Sequence, residues 1–148
     1  MRELADSIER WRARGDRVAL ATVVATRRSA PRPVGAKLAI SERGELIGSV
    51  SGGCVESDVA VQAADVIAEG VPRLLTYGIT DDMAWNVGLP CGGEIDVFIE
   101  RFEGELPESV EPAVAVTVLE GERAGERRVL GPGAVDPGPS RVLELDGE

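Results

Sequence analysis

Two segments of this 148-residue chain join a cysteine to paired glycines: Gly48-Ser49-Val50-Ser51-Gly52-Gly53-Cys54-Val55-Glu56 and Gly88-Leu89-Pro90-Cys91-Gly92-Gly93. They hold both thiols of the protein, 37 positions apart and in opposite order. In the first segment a strand-like stretch runs into a glycine turn and then into a helical pattern. A helix start leaves backbone N–H groups without intrahelical partners, and its dipole places positive potential there. Glycines let a ligand reach that backbone, so the turn reads as a cradle for an anion such as phosphate. A cysteine in the first turn of such a helix gains thiolate character when it is exposed. Glu56 weighs against an external anion, because a carboxylate one turn in repels a second negative charge. The plainer alternative is a tight turn with Cys54 as a small buried hydrophobe. Cys54 and Cys91 either face one site or sit in two unrelated turns.

A third segment, Thr26-Arg27-Arg28-Ser29-Ala30-Pro31-Arg32-Pro33-Val34-Gly35-Ala36-Lys37, is basic and braced by proline. From Arg17 through Ser41 there are five basic residues and no acid, in a chain whose net charge is −10. Arginine's planar fork suits phosphate and carboxylate. The alternative is a solvated loop whose arginines pair with nearby acids.

Composition removes several classes of chemistry. There is no histidine, which excludes a Ser-His-Asp triad, a Cys-His pair and a zincin helix within this chain. Two thiolates alone would leave carboxylates to complete a structural zinc tetrahedron, and no C-x-x-C pair is present. The negative charge makes a nucleic-acid partner unexpected. It is also uneven: residues 1–102 hold 15 acids and 12 bases, whereas 103–148 hold 11 acids and 4 bases. The start of the chain lacks a targeting pattern, and the longest nearly apolar run, Val18 to Ala25, is too short to cross a membrane. A cytoplasmic protein with reduced thiols is expected.

The elements that must position these segments follow from periodicity. Leu4, Ile8 and Trp11 share one helical face, and Gly15 ends that helix. Residues 17–26 are apolar on both faces and valine-rich, as in a strand buried inside a sheet. Lys37 to Ser41 and Leu46 to Val50 flank a four-residue turn. A second helix is expected from about Cys54 to Glu69, with Val55, Val59, Ala63, Val66 and Ile67 on its apolar face and Gly70 and Pro72 at its end. Arg73 to Tyr77 reads as a short strand, and Ile95, Val97 and Ile99 alternate with acids as in a half-buried one. The expected core is Leu4, Ile8, Trp11, Val18, Leu20, Val23, Leu38, Ile40, Val55, Val59, Val66, Ile95, Val97 and Ile99. The fold class is α+β, with a mixed sheet and two main helices packed on it. A core domain spans 1–103, and 104–148 forms an acidic linker and a small β appendage, with strands at Ala113 to Leu119, Arg127 to Leu130 and Arg141 to Leu145.

In order and spacing, the three motif segments closely resemble the amino-terminal domain of the XdhC/CoxI family, over residues 1 to about 103. These are accessory proteins of xanthine dehydrogenases and of molybdenum carbon-monoxide dehydrogenases. The resemblance implies a binding protein and not a metabolic enzyme: a chaperone that holds the molybdenum cofactor (molybdopterin) transiently while a cysteine desulfurase helps install a terminal sulfido ligand. The cofactor then passes to a molybdenum hydroxylase. On this reading Ser51, Gly52, Gly53, Cys54, Glu56, Cys91, Gly92, Gly93, Arg28 and Arg32 form the cofactor site. The Gly52 and Gly53 amides with Arg28 or Arg32 hold its anionic portions, and Cys54 and Cys91 contact or guard the molybdenum. Longer family members continue into a Rossmann-like half, yet no Gly-x-Gly-x-x-Gly follows a strand here. The expected partners are the recipient hydroxylase, the desulfurase, further copies of the chain and a separate Rossmann-domain subunit, with no nucleic acid and no membrane. Two rival classes stay open. One is a thiol-dependent oxidoreductase or transferase using Cys54, with Glu56, Asp58, Asp81 or Asp82 as base. The other is a structural interaction subunit with inert, buried thiols.

Overall fold

The computed structural model describes residues 2–78, 92–104 and 114–130. Two helices, α1 (Arg2–Ala13) and α2 (Glu56–Glu69), accompany a sheet of five strands: β1 (Val18–Arg27), β2 (Lys37–Ser41), β3 (Leu46–Gly48), β4 (Arg73–Gly78) and β5 (Glu94–Arg101). The spatial order is β3-β2-β1-β5-β4. Every adjacent pair is antiparallel. The α+β class therefore holds, while the expected mixed sheet is corrected to an antiparallel one. The crossover β3–α2–β4 does join two strands of the same direction, but it carries the chain from one edge of the sheet to the other, so those strands never become neighbours.

Central β1 reads as apolar on both faces because a helix covers each. Val18 and Leu20 meet Leu4, Ile8 and Trp11 of α1 together with Ala39 and Phe102. Ala19, Ala21 and Val23 point the other way, into a cluster with Val55, Val59, Ala63 and Val66 and with Ile95, Val97 and Ile99. All the core residues expected from periodicity are buried. At the end of α1, Arg12 donates to the Gly104 carbonyl at 2.8 Å and its guanidinium lies 5.0 Å from the Phe102 ring centre, tying the helix to the chain beyond β5.

Strand directions fix where the motifs fall. β1 ends, β2 begins, β3 ends, β4 ends and β5 begins at one end of the sheet, as the pairings Thr22–Lys37, Leu38–Gly48, Gly78–Glu94 and Arg27–Glu94 require. A bulge between Val23 and Ala25 helps at that end. It lets the last residues of β1 stay with β5 while β2 turns away, and the loop 28–36 opens between them. The loop returns to β1 through Val23, whose N–H donates to Ala36 O at 2.9 Å and whose carbonyl accepts from Gly35 N at 2.8 Å.

Beyond the sheet, β6 (Val114–Thr117) and β7 (Arg127–Leu130) pair antiparallel, in agreement with two of the expected appendage strands. Arg141 to Leu145 lies outside the described residues.

Packing predicts a sharp contrast between two aliphatic side chains. Ile8 is 2% exposed and Val61 is 62% exposed. Ile8→Ala is expected to cost about 2–5 kcal/mol in urea unfolding, and Val61→Ala to stay within about 0.5 kcal/mol.

Candidate functional site

The turn between β3 and α2 is organised around Glu56. Its Oε1 accepts from Ser49 Oγ (2.8 Å), Val50 N (3.1 Å), Ser51 N (2.9 Å) and Gly52 N (3.1 Å). Its Oε2 accepts from Gly53 N at 2.8 Å and from the Ser51 hydroxyl. The cradle expected for an external anion is thus filled from within, by the protein's own carboxylate. The Gly52 and Gly53 amides, expected to hold the anionic portions of a ligand, donate here to Glu56. Burial alone would raise the Glu56 pKa, but the Ser51 hydroxyl and amide and the Ser49 hydroxyl outweigh it, holding the carboxyl at about 2 against an ordinary 4.5.

The same turn corrects the position of Cys54. The helix starts at Glu56, so Cys54 precedes its first turn. The Ser51 hydroxyl, nearly fully buried, accepts from Cys54 N at 3.0 Å and Val55 N at 2.9 Å while donating to Glu56. It does the work of an N-cap side chain for a helix whose own N-cap residue, Val55, supplies none. Cys54 is a half-buried free thiol packed against the α2-side core.

Backbone sterics explain the first glycine. Gly48 has φ +94°, and a Cβ there would lie 2.2 Å from the Lys37 carbonyl oxygen. That oxygen accepts from Ser49 N at 2.9 Å, which anchors the turn to β2.

The basic loop meets the second glycine pair directly. A Cβ on Gly93 would lie 2.0 Å from the Ser29 carbonyl oxygen, so only glycine allows the loop to seat there. Arg28 holds φ +60°, an uncommon conformation for a side-chain-bearing residue, just before this contact. Ala30 packs on the same core as Cys54. Cys91 lies outside the described residues; Gly92 and Gly93, which follow it, lead into β5 at the same end of the sheet.

The cations of the acid-free stretch divide into two groups. Arg17 pairs with Glu42 at 2.5 Å, Arg27 pairs with Asp96 at 2.9 Å and with Glu94, and Lys37 Nζ donates to Thr22 Oγ1 at 3.1 Å. Arg28 and Arg32 are exposed, and neither guanidinium has a hydrogen-bond or ion-pair partner among the described residues. At the opposite end of the sheet, an open cleft is bordered by Arg12, Arg17 and Arg101. Its guanidinium groups are already engaged, by the Gly104 carbonyl, Glu42 and Glu103 respectively. The motif end, not this cleft, has cations without a partner among the described residues.

Of the carboxylates considered as bases, Glu56 is committed to six donors and is a poor proton acceptor near neutral pH. Asp58 accepts from Tyr77 Oη at 2.7 Å, and burial together with this carboxylate pushes the Tyr77 pKa upward. Asp81 and Asp82 lie outside the described residues. Sequence reasoning missed Glu56 as a partner of the turn because the spacing from Ser51 is five, not the three of a capping box. Among the described residues, no three cysteine or carboxylate side chains gather as a metal cluster, and no helix is long and apolar enough to cross a membrane.

Residues 11–78, which contain the basic loop and the first glycine–cysteine turn, match the sequence model of the XdhC and CoxI family. Over that segment, which is less than half of the chain, the sequence is similar to this family. Among its relatives is the molybdenum cofactor insertion chaperone PaoD of Escherichia coli strain K12, 36% identical over 94 residues, or 63% of this chain and 29% of PaoD. Another is a probable xanthine dehydrogenase subunit of Bacillus subtilis strain 168, 38% identical over 88 residues, covering 58% of this chain and 27% of that one. The chain therefore spans less than a third of the length of either relative. The crystal structure of a xanthine dehydrogenase from Bacillus halodurans shares the fold, with a TM-score of 0.63 and 23% identity over 88% of this chain and 43% of that one.

Two outcomes test the geometry. Gly93→Ala, which must displace the Ser29 carbonyl, is expected to cost about 1–3 kcal/mol in urea unfolding. The Glu56 carboxyl titrates lower in the folded chain than unfolded, so its contribution is complete above about pH 4.5 and lost as pH falls towards 2. Acid titration of the urea midpoint should therefore fall less steeply over this range in Glu56→Gln than in the unaltered chain.

Proposed function

We propose that the chain is a carrier of the molybdenum cofactor, which it holds transiently as cargo and passes to a molybdenum hydroxylase of the xanthine dehydrogenase or carbon-monoxide dehydrogenase type. The observation that carries this reading is topological. One end of the sheet gathers the loop with Arg28 and Arg32, which have no partner among the described residues, the turn with Cys54, and Gly92-Gly93 after Cys91. Molybdopterin presents a phosphate and a sulfur-rich, oxo-bearing metal. Guanidinium groups suit the phosphate, and thiols suit the metal or its labile sulfur. The names of PaoD and of the Bacillus subtilis relative agree with this class of cargo and client.

In this reading Arg28 and Arg32 hold the anionic part, Cys54 and Cys91 face the metal end, Gly92 leaves the backbone open, and Gly93 seats the basic loop. Ser51, Gly52, Gly53 and Glu56 shape the turn and do not grip the phosphate. The chain has no step of substrate turnover. A cysteine desulfurase supplies the sulfur, further copies of the chain and a separate Rossmann-domain subunit complete the assembly, and the exchange takes place in the cytoplasm.

Co-expression with cofactor synthesis followed by molybdopterin analysis tests this reading. Cys54→Ala and Cys91→Ala should each lower co-purified molybdopterin while leaving circular dichroism unchanged; full retention in both removes the thiols from the mechanism. Arg32→Ala should weaken binding of a pterin monophosphate by about tenfold at low salt, with a smaller difference at high salt. Equal affinities at low salt would place Arg32 outside the site.

A further inference from the structure

We propose that Glu56 is a positioning residue for Cys54: an internal counter-ion that gathers the amides of the Ser49–Gly53 turn and so sets where the thiol stands. The inference rests on the reading of Cys54 as a cargo contact, and it adds a residue whose charge never meets the cargo.

The hydrogen-bond pattern carries the argument. Three consecutive amides, Val50 to Gly52, and the Ser49 hydroxyl converge on Oε1, while Gly53 N and the Ser51 hydroxyl converge on Oε2. The Ser51 hydroxyl then accepts from the amide of Cys54 itself at 3.0 Å. Two bonds therefore link the carboxylate to the cysteine backbone through one buried oxygen. Gly52 and Gly53 hold φ of +79° and +110°, and a Cβ on either would meet nothing within 4 Å. These two glycines are thus required by the turn's backbone conformation and not by close packing, and the charge at its centre holds that conformation together. Glutamine at this position would put an NH₂ group among donors, leaving at least one of them unpaired.

The test compares Glu56→Gln, Glu56→Asp and Ser49→Ala in the full chain. Cys54 alkylation by iodoacetamide is followed by mass spectrometry of its peptide, beside urea unfolding and molybdopterin co-purification. In Glu56→Gln, Cys54 alkylation should change by about tenfold, the equivalent of losing one charge-assisted hydrogen bond. Molybdopterin retention should fall with it, to the level of Cys54→Ala. Glu56→Asp, which keeps the charge at shorter reach, and Ser49→Ala, which removes one donor, should lie between. Unchanged alkylation in a folded Glu56→Gln overturns the proposal. If that variant does not fold, unchanged alkylation in both others overturns it equally. Absence of molybdopterin from the unaltered chain would overturn the carrier reading alone, because the alkylation series still decides the role of Glu56.

Discussion

The candidate functional end of this protein is built around a carboxylate that the chain supplies to itself. A glycine turn leading into a helix concentrates unpaired amides, and a concentration of donors demands an anion. Glu56 is that anion, drawn back into the turn by two serine hydroxyls and four amides. The demand is met internally, without any ligand. In the proposed reading, cargo binding then need not order these amides, a cost that would otherwise weaken affinity. In that reading an anionic cargo finds its positive partner elsewhere: Arg28 and Arg32, exposed and unengaged among the described residues, stand at the same end of the sheet.

Much of the fold was legible because burial follows period. The 3.6-residue spacing of Leu4, Ile8 and Trp11 and the alternation of Ile95, Val97 and Ile99 depend only on which face meets the core, and those residues are buried. Direction was not legible in the same way. Apolar residues on both faces of β1 can arise from parallel crossovers or from one helix on each side of an antiparallel sheet, and pattern alone does not separate these. The strand pairings do, and they give the second.

The candidate site was legible as residue types and not as contacts. Sequence identified the glycine–cysteine turns and the acid-free loop, and the similarity of residues 11–78 to the XdhC and CoxI family gave the first turn and the loop a common context. It weighed Glu56 only as a repulsive charge, because a carboxylate's effect depends on whether it points at the turn or away from it. Likewise the need for glycine at position 93 comes from the Ser29 carbonyl, 64 positions earlier in the chain, and no local pattern announces such an approach. The placement of Cys54 before the helix rather than within it has the same origin, since Ser51 and Glu56 set where the first turn begins.

The most direct measurement of this account is a ¹H–¹⁵N correlation titration of the labelled chain with a pterin monophosphate. The account predicts that the Arg28 and Arg32 side-chain signals shift with occupancy, while the Gly52 and Gly53 amides, already bonded to Glu56, stay in place. Shifts confined to the Gly52 and Gly53 amides would show that the ligand displaces the carboxylate, and would contradict it.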